Sequence, residues 1–352
     1  MGLNEKFFKT VAAPPDNFGI VLYTGTGSSQ STNSLNSQSG TIDFAPDFVW
    51  IKERDGNDAH FLQDSVRGST RTLYSNSTDA DFDETQGVTS FNSNGFTLGT
   101  YQGMNNLNNN FVAWVWYAPT AESIGASGTR IASTVKKNVD AGFSIVSYAG
   151  ASNSTADTSN NGGAYWSVGH GLGATPDLVI VKKTNAAGGW YVGGQVLGST
   201  GTNGTHLVLN DVAIKANESN ILWGGSQTFN DTTFGLGGWD VVNRNNDSYI
   251  AYCFRSVDGY QKIGTYTGDG QATKDISTGF QVRFVIIKAT NAATGWIMYD
   301  SARGRNSGFE ANTSAAEFTT TNLINFLVDG FSVTNLNHEN TLNKEYIYLA
   351  IA

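Results

Sequence analysis

One block of residues occurs three times along this chain, and no other feature limits its fold as tightly. Pro46-Asp-Phe-Val-Trp-Ile-Lys52 matches Pro176-Asp-Leu-Val-Ile-Val-Lys182, and both match Val282-Arg-Phe-Val-Ile-Ile-Lys288, where the Pro-Asp entry is lost. The match continues without a gap: His60, Trp190 and Trp296 align, followed by Asp64, Gly194 and Asp300, then Gly68, Gly198 and Gly304. The first and third copies also share Asp64-Ser-Val-Arg-Gly68 and Asp300-Ser-Ala-Arg-Gly304. Each copy opens on a strand-like segment (residues 18–25, 143–150 and 260–268) and closes on another (residues 111–116, 249–254 and 346–351). Length differences fall in Gly-, Asn- and Ser-rich stretches, which is how loops on a shared scaffold vary.

The pattern inside each copy is that of strands. Asn94-Gly and Asp329-Gly are hairpin signals. In the opening segment Phe18, Ile20 and Leu22 form one face and Val21 and Tyr23 the other. The Lys-terminated and closing segments are apolar at nearly every position, so both of their faces need cover. With 41 Gly and only 14% charged residues, the composition favours turns and strands over long helices. The expected class is all-β, as three tandem antiparallel β-sandwich, jelly-roll-like modules. A three-bladed propeller is disfavoured, because the blades are too few and each repeat is too long for one blade. The expected organisation is an N-terminal arm (1–17), module 1 (18–118), a linker with an extra edge strand (119–141), module 2 (142–254) and module 3 (255–352).

Composition also excludes function classes. A net charge of −9 without a basic run argues against nucleic acid as a partner. Cys253 is the single cysteine, in the apolar run Tyr249-Ile-Ala-Tyr-Cys-Phe254, and reads as a buried thiol. No apolar stretch is long enough for a membrane helix, and the N-terminus lacks the apolar region of a secretory signal, so synthesis without a signal peptide and no membrane insertion are expected. In the N-terminal arm Leu3, Phe7 and Val11 lie at helical spacing beside Phe8, a pattern that suits a docking peptide.

Candidate chemistry is sparse. A nucleophile–base site needs a histidine, and His60 stands where the other copies carry tryptophan, which marks a packing position. His170, His206 and His338 lie in polar contexts without metal-ligand spacing. Gly169-His-Gly-Leu-Gly-Ala174 imitates a dinucleotide fingerprint, but Pro176 and a strand follow where a helix is required. Asp79, Asp81 and Asp83 open like a calcium loop, yet Glu84 occupies the place of the turn glycine and Ser90 that of the bidentate acid, so a solvated acidic loop is the better reading. Asp64/Arg67 and Asp300/Arg303 read as turn architecture. Trp166, Trp223 and Trp239, in Gly-rich segments, are candidates for stacking on sugars. No catalytic residue, metal or cofactor is expected.

With the repeat laid out, the chain resembles structural proteins of tailed phages that infect marine bacteria, notably cyanobacteria. The residues that carry the resemblance are Leu3-Asn-Glu-Lys-Phe-Phe-Lys9, the Tyr-Thr-Gly turns at Tyr23 and Tyr266, Pro46-Asp-Phe-Val-Trp-Ile-Lys52, Asp64-Ser-Val-Arg-Gly68, Gly169-His-Gly-Leu-Gly173 and Tyr249-Ile-Ala-Tyr-Cys-Phe254. The resemblance implies a virion component such as a tail fibre, an appendage or a capsid decoration, with other virion proteins as partners. A homo-oligomer whose arm docks on the particle is expected, acting in assembly or host attachment. The alternative is a module that binds host-surface glycan, or a polysaccharide depolymerase.

Overall fold

A computed structural model describes residues 17–31, 42–152, 165–199, 204–217, 222–224, 229–334 and 339–352. Leu3, Phe7, Phe8 and Val11 of the proposed docking arm, and His338, lie outside the described residues. The architecture is all-β: three modules, each pairing a large sheet with a small three-stranded one. In module 1 the large sheet runs in the order Phe18–Thr24, Asn110–Trp116, Phe48–Glu53, Phe61–Asp64, Gly68–Tyr74, Phe82–Asp83. Module 3 repeats this order from Gln261–Thr267 to Phe318–Thr319. Module 2 repeats it and adds two strands outside its opening strand, Ser133–Asn138 and then Thr120–Ile124. The segment 119–141 is thus built into module 2, and Arg130–Ile131 also joins that module's small sheet in parallel with Trp166–Gly169. No helix among the described residues is long and apolar enough to cross a membrane.

The Lys-terminated strands (Phe48–Glu53, Leu178–Lys183, Phe284–Ala289) lie between the closing strand and the next hairpin strand, central in each large sheet. Strand side chains alternate between faces, and here each face has its own core. In the closing strand of module 1, Phe111, Ala113 and Val115 face the small sheet, while Val112, Trp114 and Trp116 point the other way. Tyr249, Ala251 and Cys253 against Ile250, Tyr252 and Phe254 repeat the division, as do Tyr346, Tyr348 and Ala350 against Ile347, Leu349 and Ile351. The outward faces of the three large sheets meet in one common apolar core. The modules therefore do not form a string of separate sandwiches but close on each other.

The closure is cyclic and uses equivalent atoms at each junction. Backbone N–H groups of Asp81, Lys215 and Glu317 donate to the carbonyls of Thr184, Thr290 and Arg54, at 2.8, 2.7 and 3.0 Å. These bonds run from module 1 to 2, from 2 to 3, and from 3 back to 1. Running the opposite way, Trp190 Nε1 donates to Tyr74 O at 2.8 Å and Trp296 Nε1 to Val208 O at 2.9 Å. His60, the third member, is fully buried beside the backbone of Glu310. In the middle of the ring a void of about 30 Å³ is lined only by apolar side chains of all three modules, including the equivalent Phe48, Leu178 and Phe284.

Candidate functional site

The recurring residues of the repeat all work at the junctions or in the turns. Asp47 accepts from Ser65 Oγ and the Ala118 N–H, and Asp177 from the equivalent Ser256 N–H, which accounts for the Pro-Asp entry: it clamps the strand start to the chain leaving the sheet. Asp64 accepts from Arg67 Nε at 2.6 Å and from Tyr252 OH of module 2 at 2.8 Å. Asp300 accepts from Arg303 Nε at 2.6 Å and from Trp114 Nε1 of module 1 at 3.0 Å. Both aspartates are fully buried, so the pairs serve turn and junction together and present no ligand surface. Module 2 has lost this motif because its hairpin runs differently: Gly194 has φ 128°, and a Cβ there would stand 2.3 Å from Asp177 O. Leu197 takes the place of the arginine, and Leu349 of module 3 stands where the others carry Tyr252 and Trp114.

Lys52, Lys182 and Lys288 are fully buried. Lys182 Nζ bridges Gly188 O and Thr78 O of module 1, and Lys288 Nζ bridges Thr294 O and Val212 O of module 2. Lys52 instead holds Glu53 O and Gly56 O, and its ammonium lies 5.5 Å from the Phe309 ring centroid of module 3. Burial lowers all three to about 8 from an ordinary value of 10.5. Folded-state values below those of the unfolded chain mean that the unfolded state binds more protons between these limits, so stability rises with pH across the window and is lost as pH falls through about 8. Burial pushes Tyr23, Tyr148, Tyr252 and Tyr266 upward, so stability drops again above the ordinary tyrosine value of 10.0. We therefore expect the calorimetric melting temperature to be higher at about pH 9.5 than at about pH 7.5 by roughly 2–5 °C. Lys288→Met should flatten the rise; a wild-type curve that falls over this range would refute the assignment.

The other sequence candidates separate clearly. Trp223 is 1% exposed and sits on Gly193, where a Cβ would stand 2.3 Å from the indole, so it fills a space left by a missing side chain and is no platform for a sugar. Trp166 and Trp239 are half-buried, Trp239 against Tyr191 and His206. His60 Nδ1 accepts from Trp50 Nε1 at 2.9 Å, and burial holds its pKa well below the usual histidine value. His170 Nδ1 accepts from the Leu172 N–H while Nε2 meets Asn230 O at 3.0 Å; this ring organises the glycine turn that imitates the dinucleotide motif. His206 Nδ1 meets Gly204 O. Asp81 is held by Arg71 and lies 3.7 Å from Arg67. Among the described residues no three His, Cys, Asp or Glu side chains gather as a metal site. Burial pushes the Cys253 thiol up to about 12.

One set of residues escaped the sequence reading. Asn105, Asn243 and Asn340 are fully buried, and each ties the loop after the opening strand to the loop before the closing strand. Their Oδ1 atoms accept from the N–H groups of Thr26, Ala151 and Asp269, and their Nδ2 groups donate to Gly99 O, Gly237 O and Gln271 O. Each stands three residues before an asparagine with positive φ, Asn108, Asn246 and Asn343, a spacing visible in the sequence.

Three sheet pairs closed around one apolar core make a ring within a single chain. Residues 13–352 match a family described as a domain of unknown function (DUF7483), and the chain belongs to that family. No curated protein matches it.

Proposed function

We propose that this chain is a non-enzymatic structural protein of a tailed-phage virion, displayed on the particle as a tail-fibre, appendage or capsid-surface component for assembly or host attachment. The observation that supports this reading best is the use made of the repeat: the aspartate–arginine pairs, the lysines and the ring tryptophans are all buried in junctions and turns. A chain that spends its recurring polar residues on closure suits a rigid building block. The resemblance to phage structural proteins adds the location. In this proposal the arm carrying Leu3, Phe7, Phe8 and Val11 docks to other virion proteins. Mass spectrometry of purified particles should find the chain in fixed ratio to the major virion proteins, and antibodies against it should label intact particles. Absence from purified particles would overturn the proposal, and incorporation of a chain lacking residues 1–17 would remove the docking role of the arm.

A further inference from the structure

In module 3 a cavity of about 270 Å³ opens beside the Lys-terminated strand, with Val212 of module 2 in its wall. Comparison across the repeat shows what sets it apart. Where modules 1 and 2 carry Glu53 and Lys183, module 3 carries Ala289; where they carry Phe61 and Tyr191, it carries Ile297. In module 2, Lys183 lies over the Tyr249 ring and pairs with Asp247 at 2.8 Å. In module 1, Phe61 packs edge-on against Tyr74 and Tyr101. Module 3 carries neither kind of filling side chain.

Two further positions change chemistry. Glu310 pairs with Ile297 across the hairpin as Tyr74 does with Phe61 and Val208 with Tyr191. The carbonyl of Glu339 accepts from Tyr266 OH as those of Met104 and Val242 accept from Tyr23 and Tyr148. Two positions that are apolar or aromatic in the sister modules thus hold carboxylates, and both residues line the cavity. Tyr299 OH donates to Glu339 Oε1 at 2.8 Å and fixes that group.

An ionised carboxylate only accepts hydrogen bonds, and the rest of the wall includes the aliphatic Ile287, Ile297 and Val212. The complement is a donor-rich positive head on a short apolar stem. We propose that this cavity binds an alkyl ammonium or guanidinium group, its charge held by Glu310 and Glu339 and its methylenes against the aliphatic wall. The source is either a free amine or a Lys or Arg side chain of a partner.

Calorimetric titration of the full chain tests this with agmatine as the free probe, a Gly-Arg-Gly peptide as the side-chain probe and 1,6-hexanediol as the uncharged control. Agmatine should bind saturably at a single site, with the diol weaker by about tenfold or more. Tighter binding of the peptide than of agmatine would assign the site to a partner side chain, and the reverse to a free amine. Glu310→Gln should weaken agmatine by about tenfold. Ala289→Lys, which restores the side chain of module 2, should abolish binding; Ile297→Tyr provides the same block should the lysine disturb folding. Equal binding of agmatine and the diol, no binding of either cation, agmatine affinity unchanged by both blocking variants, or preferential binding of glucose would each overturn the proposal.

Discussion

A chain ending at Phe254, without module 3, loses cooperative folding of the two modules that remain. Its truncation uncovers the apolar faces that Phe284, Ile286, Trp296 and Leu349 otherwise cover, and it removes two of the three junctions. Apolar surface returned to water costs about 25 cal/mol per Å², and one large buried side chain already accounts for about 1.5–3 kcal/mol, against a net stability of only about 5–15 kcal/mol. The full chain should accordingly melt in one calorimetric transition whose calorimetric and van't Hoff enthalpies agree, and the truncated chain should lose its near-ultraviolet circular dichroism. Three separable transitions, or a truncated chain with a sharp melt, would show that the modules are energetically independent.

The second large effect concerns Asp300. Its carboxylate holds Arg303 and the Trp114 indole, and the arginine side chain is completely buried, stacked 4.5 Å from the Phe309 centroid and paired also with Glu317 at 3.0 Å. Asp300→Ala leaves a buried guanidinium short of a partner and should cost about 3–5 kcal/mol in urea denaturation. Adding Arg303→Leu should return part of that loss, because the unpaired charge goes with it and because Leu197 occupies this position in module 2. If the two losses simply add, the charge is not what the aspartate serves to satisfy.

Much of the fold was legible in the sequence: the repeat, the strand content and two packed sheets in each module, though not that one sheet is large and the other three-stranded. The doubly apolar strands need cover on both faces, and one sandwich provides only one of those covers. The second comes from the sister modules, and nothing in the sequence of a single module states that its outer face meets two others. Trp190 and Trp296 held the clue, since a repeated ring with one N–H needs an acceptor, and that acceptor proved to be in the preceding module. Trp223 misled because glycine-rich surroundings suggest exposure, whereas here Gly193 makes room for the ring. The cavity was invisible because it depends on four positions from separate strands and loops, each unremarkable until compared across all three copies.

Ring closure within one chain also changes what a mutation can do. In an assembly of identical subunits every substitution arrives at all equivalent sites together, so a carboxylate introduced in the wall of one would be imposed on the others. Here each change arrives once. Module 2 could abandon the aspartate–arginine turn, and module 3 could hollow out its wall at Ala289 and Ile297, while the remaining copies went on supporting the common centre. Carrying the three copies in one chain turns symmetry from a constraint into a reserve, in which each sector can depart from the pattern at its own positions while the shared centre is kept.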